Sequence, residues 1–581
     1  MLSVDTLAAE YLPRWQHVPG CKALLRYLLH EQAFIEFAEQ YPHLRGLDFV
    51  EQVLDYFRFQ VTLREQELEH IPASGPVVII ANHPIGSLDG LALLKLVSRV
   101  RPDTRVIANQ MLARLTPLSS LLLPVDNMTG KTARTQLGAV THHLAQGGVV
   151  IVFPAGEVSR LGAKGIRDGR WHSGFIRLAT KARAAIVPVH IRGRNSAFFY
   201  LSSLTYRPLG GLLLVREMFR QQDKAISLRI GQPIGWECCR QSSLTDKALC
   251  LLFRRHLYRL GKGKSGLFAT QVAIAPPEPR QQLKKAVEQC ELLGQTQDGK
   301  AIYLTRASRA GHCVILREIG RLRELSFRAV GEGTGKRRDL DPYDDDYYQL
   351  LLWDPQELEV IGAYRFIPTA EQLARKGLSG LYSHHLFDYG EEMEPFLARG
   401  LELGRSFIQP AYWGRRSLDY LWFGIGAFLA RHPHYRYLFG PVSLSAALPV
   451  AARDLLVAFY RLYFPATAAL ARSRRPLPPT APALRETFGG RDYQQDLTLL
   501  KQLLDNLGAA IPTLYKQYSE LCEPGGVQFI DFGTDPDFAD CVDGLVMVDL
   551  HRLKASRYQR YIAPHLPADK TDTEKSTVAV A

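Results

Sequence analysis

The first half of the chain alternates between two hydrophobic periodicities. Short apolar runs rich in β-branched residues predict strands at 77–81, 105–108, 149–153, 186–191 and 226–230. Apolar positions at helical spacing lie between them, for example over 133–145 and 174–183. Because strands that alternate with helices form a sheet covered by helices, this pattern predicts an α/β domain. The first 70 residues have a mainly helical pattern.

A second pattern begins after a stretch rich in Gly, Lys and Pro between 261 and 279, which is typical of a linker. An amphipathic helix is predicted over 316–327, and strands are predicted over 348–353, 360–366 and 437–442. We therefore predict a second α/β domain. The predicted organisation is a helical segment (1–70), a first domain (71–260), a linker (261–285), a second domain (286–565) and a tail (566–581).

Composition restricts the class of protein. A chain of 581 residues exceeds the usual size of one hydrophobic core, and 46% hydrophobic with 22% charged residues is typical of globular proteins. The formal charge of +13 favours an acidic partner. No apolar run approaches the ~18 residues that span a bilayer, and the start lacks a signal-peptide pattern. The eight Cys form no CxxC pair, so we predict neither a zinc site nor another bound metal.

The segment 82–90, Asn-His-Pro-Ile-Gly-Ser-Leu-Asp-Gly, joins a predicted strand to a predicted helix. His83 ends the strand and Asp89 begins the helix, with turn-forming residues between them. A carboxylate on one imidazole nitrogen fixes the tautomer and leaves the other nitrogen as a general base. The alternative is a structural histidine beside an aspartate that caps the helix.

Polar residues also follow other predicted strands. Asp126 follows one apolar run, and Gly156, Glu157 and Arg160 follow the run at 149–153. Open α/β sheets bind ligands at the carboxyl ends of their strands. We therefore expect these residues to lie along one edge of the sheet, near His83.

Over about residues 60–240 the chain resembles the glycerolipid acyltransferase family, of which lysophosphatidic acid acyltransferases are typical. Residues 82–89 are similar to its His/Asp motif, 153–157 to its Phe-Pro-Glu-Gly motif, and 187–189 to its last motif. The resemblance implies an α/β domain that transfers an acyl group from a thioester to a hydroxyl.

The resemblance also implies roles for the residues. His83 would take the hydroxyl proton, and Asp89 would orient His83 and stabilise its charged form. The implied substrate-binding residues are Asp126, Gly156, Glu157 and Arg160.

Two departures from the family pattern bear on the acceptor. Five residues separate His83 from Asp89, where the family usually has four, and Glu157 follows Gly156 rather than preceding it. Asn127 stands near the place of an Arg that is typical of enzymes with phosphate acceptors. Because such an Arg clamps a phosphate through paired hydrogen bonds, its absence favours another hydroxyl lipid.

Charged residues also recur through the second domain. They are Arg323 with Phe327 one helical turn later, Asp341 and Asp344 within an acidic stretch, Arg365, and Glu402 with Arg405. If 401–406 is a helix, Glu402 and Arg405 form an ordinary ion pair three residues apart. If it is a strand, the two side chains point to opposite faces.

In order, these residues resemble the acyl-homoserine lactone synthase branch of the GNAT fold, and more closely the ornithine N-acyltransferases. The resemblance covers about 295–555, with Leu-Glu-Leu-Gly-Arg-Ser at 401–406 and Phe-Gly-Pro-Val-Ser at 439–443. It implies N-acylation of an amino acid by an acyl carrier protein thioester. Glu402 is the expected base, directly or through a water. The implied substrate-binding residues are Arg323, Phe327, Asp341, Asp344, Arg365 and Arg405.

Together the halves resemble the bifunctional ornithine lipid synthases. This implies that the second domain acylates ornithine with a 3-hydroxyacyl group and the first esterifies the hydroxyl of the resulting lyso-ornithine lipid. We expect no bound cofactor, an acyl carrier protein (or acyl-CoA) donor, and a position on the cytoplasmic face of the membrane.

Three alternatives remain open at this point. One is a lysophospholipid acyltransferase with a degenerate GNAT-like domain. Another is a membrane-associated binding protein without catalysis. Nucleic-acid binding is the weakest, because Lys and Arg are spread along the chain and no recognisable nucleic-acid motif appears.

Overall fold

The structure is a computed structural model, and its chain divides into two compact units, residues 1–276 and 277–581, which we describe separately. It describes residues 30–108, 115–125, 134–162, 165–205, 207–240, 244–306, 313–478 and 486–566, with positions 23, 26, 27, 112 and 484. The division between Pro276 and Pro277 lies within the predicted linker.

The first unit is built on a seven-stranded sheet with the order β1-β9-β8-β2-β5-β3-β4. Neighbouring strands run parallel, except for the antiparallel pair of β8 and β9. Its strands are β1 (Gln60–Thr62), β2 (Val77–Ala81), β3 (Thr104–Ala108), β4 (Leu122–Pro124), β5 (Val149–Val152), β8 (Ala185–Arg192) and β9 (Ala225–Ile230). A separate hairpin pairs β6 (Arg160–Gly162) with β7 (Gly165–Arg167).

Helices cover this sheet, and two apolar clusters fill the space between the layers. Every residue of β2 is buried, because β2 is a central strand whose two faces pack into different clusters. The helices are α1 (Glu31–Gln40), α2 (Gly46–Tyr56), α3 (Leu88–Ser98), α4 (Arg134–Ala145), α5 (Gly174–Ala182), α6 (Ala197–Thr205), α7 (Arg207–Phe219), α8 (Glu237–Arg240) and α9 (Asp246–Leu260).

The second unit is built on an eight-stranded sheet with the order β10-β11-β12-β13-β15-β16-β19-β18. Its strands are β10 (Glu291–Gln295), β11 (Ala301–Arg306), β12 (Tyr348–Asp354), β13 (Glu359–Pro368), β15 (Gly400–Ile408), β16 (Tyr437–Leu444), β18 (Val527–Asp535) and β19 (Cys541–Asp549). A small sheet pairs β14 (Phe387–Tyr389) with β17 (Ala471–Ser473).

Helix α11, which follows β11, is buried along most of its length, and its charged side chains face the interior as well as its apolar ones. The helices of this unit are α10 (Arg280–Val287), α11 (Val314–Ala329), α12 (Thr369–Lys376), α13 (Tyr382–Leu386), α14 (Glu394–Ala398), α15 (Ser417–Arg431), α16 (Val450–Tyr463), α17 (Tyr493–Asn506), α18 (Thr513–Ser519) and α19 (Ala555–Tyr561).

The centre of the second sheet is split. Strands β15 and β16 are its only parallel neighbours among the residues that the structure describes, and they pair only over Gly400–Glu402 and Tyr437–Phe439. Beyond that point, as far as the structure describes the chain, β15 remains paired only with β13 on its other side, and β16 remains paired only with β19. The two strands therefore diverge and leave an opening in the middle of the sheet.

The predicted strands are confirmed to within about two residues, and so is the helix predicted over 316–327. The segment 401–406 is a strand, which settles the open alternative against a helix. Helix α10 begins at Arg280, within the segment 261–285 that was predicted to be a linker.

No helix in the described part of the chain combines the length and apolar character needed to cross a bilayer. Among the described residues, no three His, Cys, Asp or Glu side chains are grouped to hold a metal ion.

Candidate active sites

In the first unit, His83 follows β2 and Asp89 lies in the first turn of α3. Asp89 Oδ2 lies 3.2 Å from His83 Nδ1, and Asp89 is fully buried while the imidazole is 17% exposed. The same carboxylate accepts backbone hydrogen bonds from Ile85 at 2.9 Å and Gly86 at 3.0 Å. Asp89 therefore holds both the turn and the imidazole, and Nε2 is the nitrogen that can take a proton.

The two groups shift each other's pKa. Burial alone would lower the pKa of His83, but the charge of Asp89 and their hydrogen bond raise it above 6.5. Burial would raise the pKa of Asp89, whereas His83 and the backbone donors lower it. The ring of His83 stacks on Phe153 with centroids 4.2 Å apart. The site therefore keeps Asp89 ionised beside a basic, orientated imidazole.

Asp168 is a second buried acid at this site, which the sequence did not reveal. Its Oδ1 accepts the backbone N–H of His83 at 3.2 Å and the hydroxyl of Ser159 at 2.6 Å, while Oδ2 accepts Trp171 Nε1–H at 2.9 Å. The N–H of Ser159 donates to the carbonyl of His83 at 2.7 Å. Asp168 therefore fastens the loop after β5 to the backbone of the histidine.

The segment after β5 contains three of the predicted substrate-binding residues, Gly156, Glu157 and Arg160. Gly156 adopts a left-handed φ of 66°, so the turn favours glycine here. Glu157 is exposed and pairs with Arg160 at 2.9 Å. Arg160 is half-buried, so this ion pair lies at the edge of the loop. Asp126 lies outside the described residues.

In the second unit, three buried arginines alternate with three aspartates. Arg323 Nη1 lies 2.8 Å from Asp344 Oδ1, and Arg365 Nη1 lies 2.7 Å from Asp341 Oδ1 and 3.1 Å from Asp344 Oδ1. The arginines hold the pKa of Asp344 below its usual value in spite of burial. Asp341 and Asp344 are therefore two aspartates of the acidic stretch that pair with buried arginines.

The third arginine, Arg405, pairs with an aspartate that the sequence did not single out. Its Nε lies 3.3 Å from Asp339 Oδ2. Arg405 sits at a β-bulge with a left-handed φ of 51°, and its guanidinium lies over Tyr382 and Phe538. Strand alternation predicted that Glu402 and Arg405 face apart. That prediction is wrong, because the bulge re-aims Arg405 so that both residues contact Tyr382.

Glu402 is buried, with 1% of its surface exposed. Its carboxylate accepts hydrogen bonds from the hydroxyls of Tyr347 and Ser383 and from the backbone N–H groups of Tyr382 and Ser383. Burial raises the pKa of Glu402, although these donors partly oppose the shift. The contacts anchor α13 to β15.

Phe327 packs edge-to-face on Phe538, with centroids 5.0 Å apart. Both rings line a cavity where β15 and β16 diverge, together with Arg405, Ser443 and Asp543. The cavity thus joins the arginine network to the split of the sheet.

Most of the predicted second-domain residues lie together. Arg323, Asp341, Asp344, Arg365 and Arg405 form one network, with Glu402 and Phe327 beside it. Sequence reasoning missed Tyr347, Tyr382, Ser383 and Asp339. Asp339 and Tyr347 lie in the acidic and aromatic stretch 339–348, and Tyr382 and Ser383 carry no local signal. Sequence reasoning also missed Asp168, an isolated acid in a loop.

Comparison with known proteins assigns a class to each half. The family described as "Acyltransferase" matches residues 6–261, and the "Acetyltransferase (GNAT) domain" family matches residues 322–423. The protein is thus an acyltransferase that carries out both O- and N-acyl transfer, in a fused arrangement of two domains.

Relatives of both kinds occur as separate proteins. A "Glycine N(alpha)-acyltransferase" of Bacteroides thetaiotaomicron is 30% identical over 52% of this chain and 95% of its own length. A "Lyso-glycine lipid O-acyltransferase" of that organism is 30% identical over 41% of this chain and 89% of its own length. An "L-ornithine N(alpha)-acyltransferase" of Brucella abortus is 33% identical over 22% of this chain and half of its own. The chain belongs to the acyltransferase family of these relatives.

Proposed function

We propose that this protein builds an amino-acid lipid in two steps, the first in the C-terminal unit and the second in the N-terminal unit. The observation that carries the proposal is that one chain holds both an orientated His83–Asp89 pair and a complete arginine–aspartate network at a split sheet. The intact network argues against a degenerate second domain. The names of the relatives support the order, because one class supplies the lyso-lipid that the other acylates.

In the first step, the neutral α-amine of the amino acid attacks the carbonyl carbon of a 3-hydroxyacyl thioester. The C–N bond forms, the C–S bond breaks, and the amine proton leaves through a base to the thiolate. We propose that Glu402 serves this step through Tyr347 or a water, since its carboxylate is buried and its pKa is raised. The arginine network supplies the rigid wall of the site.

In the second step, His83 Nε2 takes the proton of the 3-hydroxyl as its oxygen attacks a second acyl thioester. The C–O bond forms, the C–S bond breaks, and the imidazolium returns the proton to the leaving thiolate. Asp89 stabilises the imidazolium charge. We propose that Gly156, Glu157, Arg160 and Asp126 contribute to substrate binding.

The finer assignments follow from chemistry. Ornithine is the proposed amino acid, because carboxylates dominate the second site and the chain is similar to ornithine N-acyltransferases. Glycine is the second candidate, since the glycine relative covers more of the chain. An acyl carrier protein thioester as donor and the cytoplasmic face of the membrane as location suit the net charge of +13.

The test is reconstitution with the full-length chain. Purified protein receives 3-hydroxyacyl and acyl thioesters of acyl carrier protein with ornithine, glycine or lysophosphatidic acid, and the products are identified by mass spectrometry. We expect N-acyl and then N,O-diacyl amino acid. Product from lysophosphatidic acid alone would overturn the proposal.

A further inference from the structure

The cavity between the diverging strands β15 and β16 contains more negative than positive charge. Arg405 is the cation that lines it, and Arg405 already faces Asp339 at 3.3 Å and Asp341 at 4.0 Å. Asp543 also lines the cavity, and Glu332 lies behind the cavity residue Ser443, whose hydroxyl donates to Glu332 at 2.9 Å. Asp543 and Glu332 are thus two acids in addition to the network, in which three arginines face three aspartates.

Both of these acids are buried, and Arg405 is a cation near them that forms its ion pairs with other carboxylates. Asp543 is 5% exposed and Glu332 is 8% exposed. In the part of the chain that the structure describes, neither forms an ion pair, and the side-chain hydrogen-bond contact of Asp543 is the thiol of Cys541 at 3.8 Å. A carboxylate taken out of water costs several kcal/mol when no partner compensates it, so this arrangement needs a cation or a proton.

Burial shifts the pKa of both carboxyl groups towards the protonated form. Burial raises the pKa of Glu332 to about 7, and burial together with Asp535 raises the pKa of Asp543 well above its usual value. The carboxyls are therefore held ready to release a proton when a cation arrives. The charged and titratable groups that face them are Arg405, Asp535, Cys541, Tyr382 and Tyr515.

The lining of the cavity combines an acid with apolar rings. Asp543 supplies a carboxyl group to its wall. Phe327, Phe538 and Tyr364 also line it, so an alkyl stem would have apolar contacts on the way in. An ammonium on a short aliphatic chain meets both requirements.

We propose that Asp543, with Glu332 behind Ser443, binds the side-chain ammonium of a diamino acid acceptor. The inference rests on the proposed N-acylation and deepens it by assigning the residues that would hold the side chain of the acceptor. The α-amine must lose its charge before it attacks a thioester. Carboxylates that bind a positive charge, such as those of Asp543 and Glu332, would therefore stabilise the wrong form of the α-amine. A side-chain ammonium keeps its charge throughout the reaction and would be held by that pair.

The test is calorimetric binding to the full-length protein, comparing ornithine with norvaline, its analogue without the terminal ammonium. We expect ornithine to bind at least about tenfold more tightly, because a charge-assisted contact is lost with norvaline. Binding of ornithine should also release protons near pH 7, seen as a dependence of the heat on the buffer.

The variants are Asp543→Asn and Glu332→Gln, with Asp537→Asn as the control, because Asp537 is an exposed acid in the short turn that precedes β19. Asp543→Asn should reduce the preference for ornithine at least about fivefold, Glu332→Gln should reduce it less, and the control should keep it. Equal binding of the two amino acids, no binding of ornithine, or an unchanged preference in Asp543→Asn would overturn the subsite.

Kinetics separate this inference from the proposed function. If ornithine binds selectively but no amide forms from any thioester, the N-acylation proposal fails and the subsite stands. If amide forms equally well from ornithine and norvaline, the N-acylation stands and the subsite fails.

Discussion

Asp89 Oδ2 lies 3.2 Å from His83 Nδ1 and 2.9 Å from the backbone nitrogen of Ile85. One carboxylate oxygen therefore closes the turn and orientates the imidazole. Gly86 within the turn has a φ of 119°, and a Cβ there would lie 2.8 Å from Val158 and 2.9 Å from Leu214. The five-residue spacing is thus accommodated by a turn that only glycine fits.

Replacing the histidine tests its role directly. We expect His83→Ala to reduce O-acylation by about 10²- to 10⁴-fold, because the general base is lost, and to accumulate the monoacylated amino acid. Mass spectrometry of lipids from expressing cells measures both products. His172→Ala is the matched control, since His172 is exposed on the same unit and should behave as wild type. Normal diacyl lipid in His83→Ala would refute the role of this histidine.

The pH dependence of O-acylation provides a second test. His83 must be neutral to accept a proton, and its folded-state pKa is raised, so the rate should fall as the pH drops through that raised pKa and level off above it. Asp89→Asn removes the charge that raises the pKa of His83. In the pH–rate profile of this variant, measured as initial rates from pH 5 to 9, the acidic limb should move to lower pH and the plateau rate should fall. A limb that does not move would mean that another group controls the profile.

Asp168 is predicted to be a positioning residue. Asp168→Ala leaves Ser159 and Trp171 without their buried acceptor, which should cost about 1–3 kcal/mol of unfolding free energy for each lost partner. O-acylation should fall and N-acylation should not. Asp168→Asn keeps one acceptor oxygen and should recover part of both losses, in denaturant melts and in separate assays of the two reactions. Equal loss of both reactions would instead indicate general unfolding.

The arginine network of the second unit should dominate the stability of that unit. Arg365→Ala removes one of the two arginine partners of the buried Asp344 and the 2.7 Å partner of the partly buried Asp341, and should destabilise the unit by about 3–5 kcal/mol. Arg375→Ala is the control, because Arg375 is half exposed and pairs at the surface with Asp346. Its effect should stay within about 1 kcal/mol in the same denaturant titration. Similar losses in both variants would contradict a special role for the buried network.

The elements were largely predictable because their signals are local. The all-apolar run of β2 and the spacing of α11 follow directly from the periodicity of residues along the chain. The split between β15 and β16 was not predictable, since it depends on pairing between distant segments. Single motifs revealed His83 and Asp89, whereas Asp168 and Asp543 enter their sites from loops and strands far along the chain and carry no local pattern.

Glu402 distinguishes the two steps. Glu402→Ala leaves the hydroxyls of Tyr347 and Ser383 and two backbone N–H groups without their acceptor, so N-acylation should nearly cease and little of either lipid should form. Synthetic monoacylated amino acid should restore O-acylation, because the His83 site is intact. Glu402→Gln keeps an acceptor but no base: if Glu402 takes the proton, this variant should fold normally and still lose N-acylation by about 10²-fold or more. Tyr347→Phe is the companion variant. It should reduce the rate of N-acylation if the proton passes to Glu402 through the tyrosine hydroxyl, and leave it unchanged if the proton passes through a water. Wild-type N-acylation in Glu402→Gln would leave this glutamate an anchor of α13 and assign the base to another residue.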